Sequence, residues 1–576
     1  MNGAQIVVEM LKAYGVEYIF GVPGDTTMPL YDALHAARGE IRHVMARDER
    51  SASFMADAYA RLAYKPGVCE GPSGGGATYI VPGLAEANGS SIPVVCFTTD
   101  IPLVDEGKGT LTAIDQQALL AAAVKWNTTV KRASMLPDVI RRAFRAATTG
   151  RPGAVHVVLP EDVLLEEVAA PRIAAEAACA RYPAYRTRAG EAETRRLYEL
   201  LSAAERPAIV AGGGVVISQA WEELAELATL LKIPVGTSIN GKGAIAEDHP
   251  WSIGVIGGNG GRPYANEVLA EADTLLYVGS RVNSLITLGW RNPGPETDKT
   301  ILQVDADPQQ LGNNLPVAHA VCGDAKLVLG DLVALARAER GVPGARPLRS
   351  TWERQDLLRR AQGWWDEFEM KARADAYPVK PQRVFAALDR ILPQASVIVA
   401  DPGTMTPFTA GAFELRRPGR SVVIPRAHGG LGYAIPAVVG AKLARPDETV
   451  VGLCGDGSFG MSGTELETIA RLRLPVTLVH FNNGTFGWIK MLQHLYFDDR
   501  FFGVDFTAVD YAGIATGFGV RGVRVEHPDQ LEDAIGEAVR ANAPTFIDVQ
   551  TESELTEVPP VEAWQRALAG RARHEG

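Results

Sequence analysis

Short apolar runs rich in Val and Ile alternate with helix-period segments along nearly the whole chain. The runs include YIFGVPG (18–24), IPVVCFTTD (92–100), AVHVVLP (154–160), PAIVAGGG (207–214), TLLYVGS (274–280), ILQVDAD (301–307), SVIVADPG (396–403), TVVGLCGDG (449–457), PVTLVHFNN (475–483) and TFIDVQT (545–551). Continuous apolar strands separated by helices predict parallel sheets covered on both faces. The expected fold class is therefore α/β, with three doubly wound domains built on mainly parallel sheets. Ligands of such sheets bind beyond the carboxyl ends of the strands, and most of these runs end in Gly, Asp or Asn. Two stretches break the alternation. Residues 171–193 are rich in Ala, Arg and Pro and carry no strand pattern. Residues 337–356 are rich in Arg and Pro and lead into a charged helix around RAQGWWDEFEMKARADAYP. These breaks divide the chain into units at 1–172, 190–340 and 370–550, with a polar tail at 551–576. The first and third units carry the loop chemistry.

Composition narrows the picture. With 576 residues, the chain has room for roughly three to four domains of about 150 residues. A formal charge of -11 and the lack of a basic stripe argue against a nucleic-acid binder. No run of about 18 apolar residues occurs, so no membrane span is expected. The opening MNGAQIVVEMLKAYGV reads as an amphipathic helix leading into a strand, without the basic region and cleavage site of a signal peptide. The expected compartment is the cytoplasm. The five cysteines are far apart and lack zinc-type spacing. They read as buried thiols in a reducing compartment.

The most informative motif is GDGS at 455–458, followed by NNGT at 482–485. An apolar strand precedes each. If those strands are neighbours, Asp456 and Asn483 emerge side by side at their carboxyl ends. One carboxylate, one amide oxygen and a nearby carbonyl form a hard oxygen site. That suits Mg²⁺, which takes few protein ligands and completes its octahedron with phosphate and water. Gly455 and Gly457 let the backbone approach a diphosphate, with Ser458 beside them, and a helix starting near Ser462 would add N–H groups. A lone GDG is a common turn. The paired motif, each half after a strand, is not.

This pairing resembles the signature of thiamine-diphosphate (ThDP) enzymes, and the whole chain resembles the acetolactate synthase, pyruvate oxidase and benzoylformate decarboxylase superfamily. The resemblance implies a pyrimidine-binding first domain, a central domain and a diphosphate-binding third domain. It implies that Asp456 and Asn483 bind Mg²⁺ through side-chain oxygens and Thr485 through its carbonyl. Gly403 and Thr404 would help hold the diphosphate. The family often has Gln-His there, against Thr404-Met405 here.

A second segment, ARDERSASFMADAYAR (46–61), places Glu49 after an apolar strand. In the superfamily the glutamate at this place meets N1′ of the pyrimidine and activates the cofactor. A helix N-terminal acid favoured by the macrodipole is the simpler alternative. A third, HGGLGYA (428–434), resembles the benzoylformate decarboxylase branch and implies that Leu431 lies beneath the cofactor, with His428 a candidate catalytic residue. For the loop GVPGDTTMPL (21–30), the resemblance implies that Pro23 helps bind the cofactor and that Asp25 is a candidate proton-transfer group. An Asx turn or helix cap would explain Asp25 equally well. CEGPSGGGATY (69–79) resembles the family's glycine loop, with Ser73 against the cofactor and Tyr79 where Asn is usual.

Departures from the named enzymes fall in the substrate region. Anchored on AVKWN, Thr112 takes the place of the glutamine expected in acetolactate synthases, and the nearby Arg-Pro pair becomes Ala-Ala. After Asn483, Trp488, Lys490, Met491 and Gln493 are expected to shape the substrate pocket. An ordinary helix face is the competing reading. In the central unit, GSRVNSL (279–285) lacks the pattern common in FAD-bearing acetolactate synthases, which leaves FAD open but not favoured.

The expectation is a ThDP- and Mg²⁺-dependent enzyme that cleaves or forms a C–C bond next to a carbonyl. Acetolactate-synthase-like decarboxylation and carboligation of a 2-oxo acid comes first. A non-decarboxylating lyase or hydrolase acting on an acyloin, diketone or acyl-CoA is the alternative. A non-catalytic subunit or scaffold is the rival from another class. The partner is a small-molecule substrate, with no nucleic acid and no membrane. Family geometry implies a homodimer or homotetramer with active sites between subunits.

Overall fold

The computed structural model describes residues 1–340 and 348–575. Three six-stranded sheets follow one another along the chain. Every strand pairing within them is parallel. Counted in chain order, the first and third sheets share one strand order, second-first-third-fourth-sixth-fifth. The central sheet runs sixth-fifth-fourth-first-second-third. Each is doubly wound, as the apolar runs predict. Residues 341–347, within the second break in the pattern, lie outside the described residues.

The strand order fixes where loops meet. In the first sheet the order reverses between Tyr18–Gly21 and Gly67–Gly71. In the third it reverses between Ser396–Ala400 and Thr449–Gly455. A crevice opens at such a switch point. The loops carrying Asp25 and Ser73 leave the first, and those carrying Gly403 and Asp456 leave the third. Glu49 follows the second strand of its sheet, Arg42–Met45, and Leu431 follows the second strand of the third, Val422–Val423.

Two helices join the first and third units. Glu49–Ala63 buries Ala and Ser positions all round, and Ala434–Ala444 is buried from Ala434 to Lys442. A helix without a polar face belongs inside a core. Their approach is close: a Cβ on Gly440 would lie 2.0 Å from the Met55 carbonyl oxygen. Most polar groups inside this contact are paired, Asp57 Oδ1 and Ser51 Oγ excepted. Arg61 donates to Asp57 at 2.8 Å and to Glu86 at 3.0 Å, and Tyr433 donates to Asp57. Glu86 also accepts the backbone N–H groups of Arg426 (3.0 Å), Ala427 (3.0 Å) and His428 (2.8 Å). A buried carboxylate of the first unit thus pins a loop of the third.

Two differences from the sequence reading concern the periphery. The segment after residue 550 is not a free polar tail. Val561 and Trp564 are buried against Met491 and Leu495, and Gly260 donates to the Pro560 carbonyl at 2.7 Å. Four cysteines are buried, whereas Cys322 is exposed, because it ends the edge strand His319–Cys322 of the central sheet. No helix among the described residues is long and apolar enough to cross a membrane.

Candidate active site

The strand Thr449–Gly455 turns directly into the helix Asp456–Ser462. This helix begins at Asp456 rather than near Ser462. Gly455 caps it in an extended conformation, and Asp456 takes the first turn, where a carboxylate meets free N–H groups. Asp456 is 5% exposed. Its Oδ2 accepts the backbone N–H groups of Asn483 (3.0 Å) and Gly484 (3.2 Å). Its Oδ1 is buried and has no hydrogen-bond partner. The Nε2 of His480, 4.0 Å away, is likewise unpartnered, while its Nδ1 meets Asp548 at 2.9 Å. A buried carboxylate oxygen left alone costs free energy. A cation on that oxygen removes the cost.

The residues around it fit Mg²⁺. Asn483 follows the adjacent strand, Val476–Asn482. Thr485 spends its hydroxyl on the Val504 carbonyl at 2.8 Å, which leaves its own backbone carbonyl as a candidate ligand. No group of three or more His, Cys, Asp or Glu suited to a metal occurs among the described residues. A site of one carboxylate, one amide and one carbonyl is not of that kind.

A cleft with about 1190 Å³ of empty space opens over this corner. Gly403, Thr404, Leu431, Gly455, Asp456, Gly457, Ser458, Asn483, Thr485 and Trp488 all line it. Gly457 has to be bare, since a Cβ there would sit 2.2 Å from the Phe486 ring. Three charged lining residues escaped the sequence reading: Arg426, Glu552 and Glu554. Glu554 is 4% exposed; one oxygen accepts the Thr404 hydroxyl and the other accepts Asn483 Nδ2–H at 3.1 Å. Burial pushes its pKa up, against those two hydrogen bonds, and Asp456 adds to the rise. The only signal in the sequence was an acid shortly after the last strand, a place where acids are common.

The first unit builds a second cluster. Glu49 is 8% exposed and begins its helix behind the N-cap Asp48, which accepts the Arg50 N–H at 2.7 Å. Two glycines make room for it: a Cβ on Gly71 would lie 3.4 Å from Glu49 Cγ, and one on Gly76 would lie 3.0 Å from its Oε1. Burial raises the Glu49 pKa, and the nearby carboxylates Asp48 and Glu70 raise it further. Ser73 and Thr112 meet, Oγ to Oγ1, at 2.8 Å. Thr26, overlooked in the sequence, joins them by bonding Ser73 at 3.1 Å and Thr99 at 2.7 Å. Thr112 has φ +68°, a left-handed backbone that costs a β-branched residue energy. Glu70, also overlooked, is fully buried and accepts from Tyr31 (2.6 Å), with His43 Nε2 at 3.1 Å. Asp25 and Pro23 lie exposed on the neighbouring loop. Thr27, not Asp25, closes the turn there, by accepting the Gly24 N–H at 2.9 Å.

The two clusters do not share a cleft within one chain. No residue of the first unit lines the cleft over Asp456. Several expected pocket residues also lie elsewhere. Met491 is fully buried against Trp564, because its helix face is covered by the returning C-terminal segment. His428 is exposed and outside the cleft lining; its backbone, not its ring, is held. Lys490 pairs with Asp505 at 2.6 Å, and Gln493 braces Phe502. Trp488 stays in the lining and packs on Trp564 with centroids 4.4 Å apart.

The three units match three family models in order: thiamine pyrophosphate enzyme N-terminal TPP binding domain (residues 1–119), central domain (194–332) and C-terminal TPP binding domain (401–549). The chain belongs to the thiamine pyrophosphate enzyme family. Among similar curated proteins is a probable acetolactate synthase large subunit of Methanococcus aeolicus, 34% identical over 574 residues, covering 97% of this chain and 94% of that one. Another, from Methanocaldococcus jannaschii, is 35% identical over 572 residues, with the same coverage. The acetolactate synthase isozyme 2 large subunit of Escherichia coli K12 is 32% identical over 568 residues and 97% of each chain. This ThDP enzyme has a further cleft in its central unit, at the switch point between Pro207–Ala211 and Thr274–Val278. It holds about 940 Å³ and is lined by Gly212, Gly213, Gly214 and Asp305, among others.

Proposed function

We propose that this chain is a ThDP- and Mg²⁺-dependent enzyme of the acetolactate synthase type, which decarboxylates a 2-oxo acid and joins the remaining fragment to a second carbonyl. The unpartnered Oδ1 of Asp456, at the mouth of a cleft lined by Asn483, Thr485 and Leu431, carries the reading. The relatives, all named as acetolactate synthases, support the choice of reaction.

In this reading Asp456, Asn483 and Thr485 hold Mg²⁺. Gly403, Thr404, Gly455, Gly457 and Ser458 surround the diphosphate. Leu431, in the cleft lining, would lie beneath the cofactor. When bound, ThDP supplies the carbon nucleophile and electron sink that the reaction needs. Glu49 holds and moves the proton at the pyrimidine N1′, and its raised proton affinity suits that task. Pro23 and Ser73 border the pyrimidine. Asp25 and the Ser73–Thr112–Thr26 hydroxyl cluster face the substrate side. Because Glu49 and Asp456 occupy separate clusters in one chain, the complete site is assembled from two copies, in a homodimer or homotetramer. FAD is not part of this reading; a flavin absorbance band in the purified protein would show that it binds.

The hydroxyl cluster favours one second reading. Thr112 offers a neutral hydrogen-bonding wall, which suits an acyloin, diketone or acyl-CoA substrate cleaved without loss of CO₂. Incubating the holoenzyme with 2-oxo acids, acyloins and acyl-CoAs separates the two readings by product. Glu49→Gln is expected to abolish turnover while the fold and most ThDP binding persist. Full activity of that variant would refute both readings.

A further inference from the structure

Among the described residues, Arg426 is the only basic one in the lining of the Asp456 cleft. Its backbone N–H is held by Glu86, so the residue's position is fixed. Its guanidinium is not matched in the same way. It forms no salt bridge among the described residues, and its Nε is buried without a partner. The carboxylates that could have neutralised it are committed elsewhere. Glu552 pairs with Lys380 at 3.0 Å. Glu554 holds Thr404 and Asn483. Asp456 holds two backbone amides and offers its free oxygen to a cation. Glu86 is the carboxylate that acts on the Arg426 charge, but it already accepts from Arg61, Ser90 and three backbone amides. Burial lowers the Arg426 pKa from its usual value, the mark of a cation short of compensation.

A guanidinium left this way inside a cleft is suited to an oxyanion from outside, which its planar fork grips with two hydrogen bonds. The identity of that anion follows from the chemistry, on the reading given under Proposed function. A carboxylate that departs as CO₂ sheds its charge on the way. An ion pair to it would stabilise the ground state more than the transition state and slow the reaction. The anion that profits from a fixed guanidinium is one that the substrate keeps.

We propose that Arg426 anchors a retained anionic group of the substrate, so that this enzyme selects substrates that carry a carboxylate or similar oxyanion through the reaction. That group is either the carboxylate of the acceptor 2-oxo acid or a second, distal anion on the donor.

The test uses the Mg²⁺- and ThDP-loaded enzyme with Arg426→Met and Arg426→Lys. Calorimetric titration with malonate, an unreactive dianion, and with malonamide, its neutral counterpart, reads the anchor without turnover. Arg426→Met is expected to weaken malonate binding about 10- to 100-fold, the worth of a charge-assisted pair, and to leave malonamide unchanged. Arg426→Lys recovers part of the loss. Turnover then separates the two sources. A similar drop in kcat/KM confined to carboligation onto a 2-oxo acid, and absent with a neutral aldehyde acceptor, points to the acceptor. A drop in CO₂ release confined to donors with a distal anion points to the donor. A wild-type enzyme that ignores malonate would overturn the proposal. So would equal losses for malonate and malonamide, or a loss in ThDP affinity instead, which would make the cofactor diphosphate the anion. If malonate binding depends on Arg426 but no 2-oxo acid turns over, the anchor stands and the proposed reaction falls.

Discussion

Glu554 offers the most direct check on the metal corner. It touches Asn483, one of the three expected Mg²⁺ ligands, through the amide Nδ2–H at 3.1 Å. That bond, together with the Thr485 N–H that Asn483 Oδ1 accepts at 3.3 Å, sets which way the amide faces. The other carboxylate oxygen takes the Thr404 hydroxyl, which ties the loop of Gly403 and Thr404 to the same group. There is no slack around it, since a Cβ on Gly487 would lie 1.7 Å from Glu554 Oε2. Glu554→Ala removes both bonds and leaves the amide held only at Oδ1, by the long bond from the Thr485 N–H. Loss of an outer partner of a metal ligand typically costs 10- to 100-fold in metal affinity, or about 1.4 to 2.8 kcal/mol. Calorimetric titration of Mg²⁺ and ThDP into the apoenzyme reads this directly, with the unfolding midpoint as a control for the fold. Glu554→Gln tests the reason. A glutamine oxygen can still accept from Asn483, and its NH₂ can donate to the Thr404 oxygen. If orientation is what matters, this variant stays within about threefold of wild type, because both pairings survive. Wild-type affinity in Glu554→Ala would refute the positioning role. Equal losses in both variants would show that the charge, not the orientation, is used.

Two further outcomes follow from the same geometry. Glu49→Gln and Asp456→Asn should each be inactive alone, yet subunits mixed and reassorted should regain about a quarter of wild-type activity, because half the dimers then carry one intact site; a mixture that stays inactive after proven exchange would place both residues in one chain's site. Glu86 gives the pH dependence. Burial works against its ionisation, but Arg61 and the amides of His428 and Ala427 hold its carboxyl below the usual 4.5. Its contribution is therefore present above that value and is lost as the pH falls through the folded pKa. Thermal midpoints taken from pH 7 down to about pH 3 should fall less steeply in Glu86→Gln than in wild type, from a lower starting point. Parallel curves would show that Glu86 is not a source of acid lability.

Much of the fold could be read from the sequence because buried parallel strands leave uninterrupted apolar runs. TVVGLC and PVTLVHF are such runs, and they lie side by side as expected. Asp456, Asn483, Gly403 and Leu431 line one cleft, and the sequence pointed to that corner because a motif marks strand ends, and strand ends at a switch point converge. The residues that escaped lie where no local pattern exists. Glu554 meets partners far away in sequence, Arg426 is placed by the distant Glu86 through its backbone, and an acid or an arginine in a loop is unremarkable by itself. Met491 lies outside the cleft lining for a related reason. A helix shows which residues share a face, but not whether the cleft or a returning segment covers that face. Val561 and Trp564 settle that question in three dimensions.

The buried network between the first and third units has a consequence for how the two clusters act. The helix that begins at Glu49 carries Asp57 and Arg61 two and three turns further on, and these reach Tyr433 and Glu86. Glu86 in turn holds the amides of residues 426–428, and Tyr433 lies two residues beyond Leu431. One buried network therefore spans from the helix that begins at Glu49 to the loop that carries Leu431, although Asp57 Oδ1 has no partner in it. If the complete site draws Glu49 and Leu431 from different copies, the network connects two sites rather than two sides of one. Buried paired charges are costly to disturb, about 3–5 kcal/mol when one partner is removed. A shift at Glu49 is then passed along the helix rather than absorbed locally. The polar groups inside an otherwise apolar helix contact make sense on this basis. Leucines would fill the same space, but only a carboxylate can hold three backbone amides in register with the helix that carries Glu49.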